Sequence, residues 1–173
     1  MHIWNKLLLI AMVLLIACPL FAADKDTADA KKTVVETFET ATLSQINRVT
    51  ALPNAISADL RKRFNLPRNQ PLFTEVADRG TPFRRQARSN PKLPLRRMML
   101  AGTSEELAMV AYERGGVTGA NIVLLYQKSG DAWELKYAGY FKDRLNAKDI
   151  KGIAWIQAAF RRGDVLEMKE QSF

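Results

Sequence analysis

The chain has 173 residues, a formal net charge of +8, one cysteine and one histidine. Cys18 alone forms no intrachain disulfide, and His2 stands so near the start that a chain processed downstream of it has no imidazole. Ser-His-Asp and Cys-His centres, the usual His/Cys zinc sites and histidine proton transfer are excluded for such a chain.

The first residues, Met1 to Lys6, carry one positive charge. An unbroken apolar run follows from Leu7 to Ala17, and charge returns at Asp24. A charged lead, an apolar stretch of about 7–15 residues and a small residue at the cut are what export machinery reads. The run is shorter than the roughly 20 apolar residues a membrane span needs, and it breaks at Pro19. We therefore expect residues 1–22 to be a secretory signal removed after Ala22, leaving one periplasmic or secreted domain over 23–173. The alternative is Leu15-Ile16-Ala17-Cys18 acting as a bacterial lipobox, with the protein anchored through a lipid on Cys18.

From Asp26 to Leu52 the apolar spacing is helical: Val35, Phe38, Thr42, Ile46 and Val49 recur three and four apart, up to the stop at Pro53. A short second helix is expected from Ser57 to Phe64. Six of the seven prolines then fall between Pro53 and Pro94. Residues 66–94 read as a Pro/Arg-rich irregular segment, with one short strand near Leu72–Val76. Four strands follow, Arg96–Ala101, Leu107–Glu113, Ile122–Gln127 and Trp133–Phe141, joined by glycine-containing turns. The middle two are apolar on both faces, as in strands covered on two sides. The first helix supplies one cover; a loop, a ligand or a second copy of the chain supplies the other. A last helix is expected from Ala147 to Arg162, capped by Asn146 and stopped by Gly163. The expected fold is α+β: one or two N-terminal helices on a four-stranded antiparallel meander, with a C-terminal helix.

Between Arg61 and Arg97 there are eleven basic residues against only Glu75 and Asp78. Arginine pairs bidentately with phosphate and carboxylate, so Arg79, Arg84, Arg85, Arg88, Arg96 and Arg97 are the candidate anion-binding or partner-binding set. The bland reading is that these arginines pair with the domain's own acids. Phe64, Phe73 and Phe83 are too few and too irregular for a base-stacking platform, and export argues against nucleic acid as a natural partner. In Glu113–Gly119 three glycines allow an anion nest or simply a hairpin. A second candidate site is an apolar pocket lined by Tyr112, Tyr126, Trp133, Tyr137 and Trp155. The acids Glu105, Glu106, Glu113, Asp131 and Glu134 show no spacing that selects a catalytic pair. No catalytic residue, cofactor or metal ligand is therefore assigned.

The leading expectation is an exported, non-catalytic binding protein. Its basic segment docks an anionic envelope component (lipid headgroup, lipopolysaccharide or wall polymer) or a protein partner. The alternatives are a small carrier of an apolar ligand and a carboxylate-dependent wall hydrolase.

Overall fold

The structure is a computed structural model that describes residues 28–86, 88 and 90–168. The expected signal, the cleavage point and Cys18 lie outside the described residues. The chain divides into two units after Thr33. The described part of the first is the helical stretch 28–33, in which Thr33 Oγ1 donates to the Asp29 carbonyl at 2.9 Å.

The second unit begins with the helical residues 34–40, α1, which bury Val34 and Phe38. Strand β1 (Ser44–Ile46), a 3₁₀ turn (Val49–Ala51), α2 (Asn54–Arg63), a second 3₁₀ turn (Leu72–Thr74) and β2 (Val76–Ala77) follow. Four long strands come next: β3 (Arg96–Thr103), β4 (Leu107–Arg114), β5 (Ala120–Ser129) and β6 (Ala132–Phe141). Helix α3 (Ile153–Arg161) and β7 (Val165–Glu167) complete the order.

The fold is mixed α+β, as expected, but the sheet has seven strands rather than four. The four long strands do form an antiparallel meander. Its order extends to β1-β3-β4-β5-β6-β7, and β2 pairs in parallel with the start of β3. The added strands are two or three residues long, too short to show an alternating pattern in the sequence.

The first helix stops at residue 40 instead of running to Leu52. Helical spacing continues past that point, but the backbone is captured from outside. Gln157 Nε2 donates to the carbonyls of Phe38 (2.7 Å) and Ala41 (2.8 Å), and Arg161 donates to that of Glu39 (2.7 Å). These bonds satisfy the carbonyls that a continuing helix would have used. Ser44–Ile46 then pairs with β3.

Helix α2 begins at Asn54, directly after Pro53, so Ser57 lies inside the first turn and does not cap it. Helix α3 is shorter than expected. It starts at Ile153, not Ala147, because residues 142–152 are held as a loop. Asn121, buried on β5, accepts from the Leu145 amide at 2.6 Å and donates to the Leu145 carbonyl at 3.2 Å. Asn146, the expected cap, instead takes its amide to Asp149 at 3.0 Å.

Each side of the sheet carries its own core. α1 and α3 cover one face through Val34, Phe38, Ile156, Ala159 and Phe160, packed on Met99, Met109, Val123 and Leu125. α2 and the irregular segment cover the other through Ile56, Leu60, Phe64, Leu72 and Val76, packed on Met98, Val110, Ile122 and Leu124. Burying each of these Leu or Ile side chains contributes about 1.5–3 kcal/mol. Covering strands apolar on two sides thus needs no partner chain, since this chain supplies both layers.

A bulge divides the side chains of β6 between the two layers. Leu125 faces Tyr137 and Tyr126 faces Leu135, which leaves Lys136 as the extra residue. Trp133 and Leu135 consequently lie in the α2 layer, whereas Tyr137 lies in the α1/α3 layer.

Candidate functional site

The basic segment meets the sheet at one end, where β3 starts and β4 runs into the hairpin to β5. β3 places Arg96 and Arg97 on opposite faces, as strand alternation requires.

On the α1/α3 face Arg97 stands directly across from Glu113 of β4 and donates to it at 2.8 Å. Glu113 is 0 % exposed. Arg85 reaches it from the irregular segment, with Nε 3.1 Å from the other carboxylate oxygen, an ion-pair contact without hydrogen-bond alignment. Arg85 also donates to Asn146 Oδ1 at 2.6 Å, and Arg97 lies over the Phe83 ring at 4.4 Å. Arg79 donates to the carbonyls of Ile150 (2.7 Å) and Ala147 (3.3 Å). Together these bonds tie the irregular segment to the 142–152 loop and to β4.

On the α2 face Arg96 is buried, bonded to Glu75 and stacked 3.9 Å over Phe64. Tyr112 packs edge-on against Phe64, ring centres 5.5 Å apart. Its hydroxyl is buried and has no aligned hydrogen-bond partner. Burial pushes this phenol up to about 12, against the opposing pull of Arg96 and Arg114. The second acid of the segment, Asp78, accepts the Val49 amide at 2.7 Å.

The six candidate arginines are therefore not one surface. Arg79, Arg85, Arg96 and Arg97 are engaged by the fold itself. Arg84 is half-buried and Arg88 exposed; among the described residues neither side chain has a hydrogen bond or ion pair. Lys92 is exposed in a turn. It stands at Ser-x-x-Lys spacing from Ser89, which lies outside the described residues.

Two further arginines reach the same end, and the sequence reading assigned neither. Arg114 closes β4 and donates to the Thr118 carbonyl at 3.5 Å. The only cue to it was its place inside the glycine turn. Arg144 lies against Gly119 and donates to the Arg85 carbonyl at 3.5 Å. Its contact arises from the folding of the 142–152 loop, which no local pattern announces.

Gly115 is a steric requirement of this junction, and Gly119 lies close to a side-chain tip that can move. A Cβ on Gly115 would lie 1.9 Å from the Arg84 carbonyl oxygen, and one on Gly119 would lie 2.5 Å from Arg144 Nη2. The hairpin carries Gly115 so that the basic segment can pack onto it. Gly115 N–H is bonded to the Leu95 carbonyl at 2.8 Å, so that amide already has its acceptor.

The aromatic set divides between the two cores. Tyr112, Tyr126 and Trp133 belong to the α2 layer. Tyr137 and Trp155 belong to the α1/α3 layer, beside Phe160 and Phe141 respectively. The structure brings three of them to one face and not all five to one cavity. Tyr126 is anchored by its hydroxyl, which donates to Asp59 at 2.9 Å; burial and Asp59 raise its pKa well above 10.

The acids divide by position as well. Glu105 and Glu106 occupy the β3–β4 turn and Asp131 the β5–β6 turn, at the end of the sheet away from Glu113. Glu134 pairs with Lys136 at 2.6 Å. Among the described residues no group of three or more His, Cys, Asp or Glu could hold a metal ion. None of their helices is long and apolar enough to cross a membrane. Compared with known proteins, the chain matches no family model, no curated sequence and no solved structure.

Proposed function

We propose that this is an exported, non-catalytic binding module that docks an anionic envelope component. Its docking surface is narrower than the whole basic segment: Arg84 and Arg88, joined by Arg144 at the β4–β5 hairpin. One observation carries the reading. The two acids inside the segment are consumed, Glu75 by Arg96 and Asp78 by the Val49 amide, while Arg84 and Arg88 keep no partner among the described residues. The Arg84 backbone is fixed to Pro94 beside the place where Arg85 and Arg97 share Glu113, which leaves its guanidinium for an anion from outside. Phosphate is the favoured group, since the planar guanidinium fork matches it in two-point contact.

The test is binding of the protein to soluble polyphosphate at low and at high salt. Exposed charge pairs are screened once the Debye length falls below about 10 Å. We therefore expect binding that fades as salt rises, and that weakens when Arg84 and Arg88 become Ala. Binding indifferent to both salt and these substitutions would overturn the proposal.

A further inference from the structure

The hairpin that Arg84 and Arg144 pack against ends in an apolar residue. Val117 is 87 % exposed, the most open of the large exposed apolar side chains among the described residues. It sits in the turn between Gly115 and Gly119, whose two ends lie against the Arg84 carbonyl and Arg144. Arg114, at the base of the same turn, donates to the Thr118 carbonyl. Half-buried Leu95 flanks the turn, its Cδ1 3.8 Å from where a Cβ on Gly116 would stand.

Counter-charge at this end is sparse. Glu113 is buried and already shared by Arg85 and Arg97. In the 142–152 loop Asp149 is bonded to the Asn146 amide, and Asp143 is exposed next to Arg144. Arg84, Arg85, Arg88, Arg97 and Arg144 thus outnumber Glu113, Asp143 and Asp149 by two positive charges.

We infer that the anionic partner is the surface of a lipid bilayer, with Val117 entering the headgroup layer while Arg84, Arg88 and Arg144 pair with lipid phosphates. The inference rests on the binding function proposed above and names its source of phosphate. An apolar tip with Arg114 and Arg144 at its base gains nothing from a soluble polyanion, where it stays in water. At a bilayer the two features act together: the cations hold the hairpin at the anionic surface and the apolar side chain leaves water. Arginine suits this border, since its stem can lie along apolar surface while its head stays at the phosphates.

The experiment is co-sedimentation of the chain, as isolated from expressing cells, with three probes. These are vesicles of phosphatidylglycerol and phosphatidylcholine in equal parts, vesicles of phosphatidylcholine alone, and soluble polyphosphate read by a binding titration. The neutral vesicles set the baseline, including any contribution of the apolar run at residues 7–17 where it is retained. Val117→Asn changes no charge on a side chain that supports no packing. It should weaken partition onto the mixed vesicles by about fivefold to tenfold and leave polyphosphate binding unchanged. Val117→Trp should strengthen the vesicle arm alone. Each of Arg84→Ala and Arg144→Ala should weaken it by about fivefold. If both Val117 variants bind the mixed vesicles like the parent while the arginine variants weaken every anionic probe, the bilayer inference fails and the anion-binding function stands. If the parent binds neither anionic probe, both fail.

Discussion

Arg97 and Arg84 lie in the same basic stretch, carry the same side chain and have opposite fates. Arg97 sits on β3 across from a fully buried carboxylate and over an aromatic ring. Arg84, on the neighbouring irregular chain, gives its backbone to the fold, its amide bonded to the Pro94 carbonyl at 2.8 Å, while its guanidinium has no partner among the described residues. Burying a guanidinium is tolerable only where a carboxylate and further contacts replace its water. This end of the molecule supplies that twice, with Glu113 and Phe83 on one face and Glu75 and Phe64 on the other. Once those two places are filled, Arg84 and Arg88 stay outside. Charge density in a sequence therefore counts cations without saying which ones build the protein and which meet a partner.

Glu113 decides which arginines the fold can hold. Removing it leaves the largely buried Arg97, and the more exposed Arg85, without their carboxylate. Glu113→Ala should cost about 3–5 kcal/mol, the range for a buried pair losing one partner. A urea titration at neutral pH reads this as a lower midpoint. A loss below about 1 kcal/mol would show that Glu113 is not the post on which the segment hangs.

Tyr112 sharpens the same contrast through pH. Its phenol is raised to about 12 in the fold, against about 10 in an unfolded chain. Between those values the native state holds a proton that the unfolded state has released. This contribution to stability is complete below pH 10 and is lost as pH rises through 12. Its size is on the order of 2–3 kcal/mol for a shift of about two units. Tyr112→Phe should flatten that part of the alkaline unfolding curve. At neutral pH it should change stability by less than about 1 kcal/mol, because the hydroxyl has no aligned bond to lose. A variant whose stability falls as steeply as the parent's between pH 10 and 12 would remove Tyr112 from this account.

Much of the fold was legible because it rests on long periodic runs. The four meander strands and α2 follow from apolar spacing and turn chemistry, with ends displaced by a few residues. The misread parts share one cause, that distant side chains decided the local backbone. Gln157 and Arg161 end α1 from across the chain, and Asn121 holds the loop that replaces the first turns of α3. Strand β7, three residues long, exists because β6 offers it a ladder. For the candidate site, the end of the molecule was legible and its membership was not. Arg96 and Arg97 looked like surface charge because Glu113 is sixteen residues from Arg97 and fixed opposite it only by strand register. Arg144 was invisible because it arrives on a loop whose course Asn121 sets.

The smallest expected effect is the one that most directly separates the two kinds of arginine. Arg84→Ala and Arg88→Ala remove side chains that bond nothing among the described residues, so each should leave stability within about 0.5 kcal/mol of the parent. Arg97→Ala, by contrast, withdraws the aligned donor from Glu113 and the stack on Phe83 together, and its urea midpoint should fall clearly. The informative quantity is the ratio of binding loss to stability loss at each position. Arg84 and Arg88 should lose anion affinity at constant midpoint, whereas Arg97 should lose midpoint first. If instead Arg84→Ala lowers the midpoint as far as Arg97→Ala, its guanidinium has a structural partner in solution, and the docking surface contracts to Arg88 and Arg144.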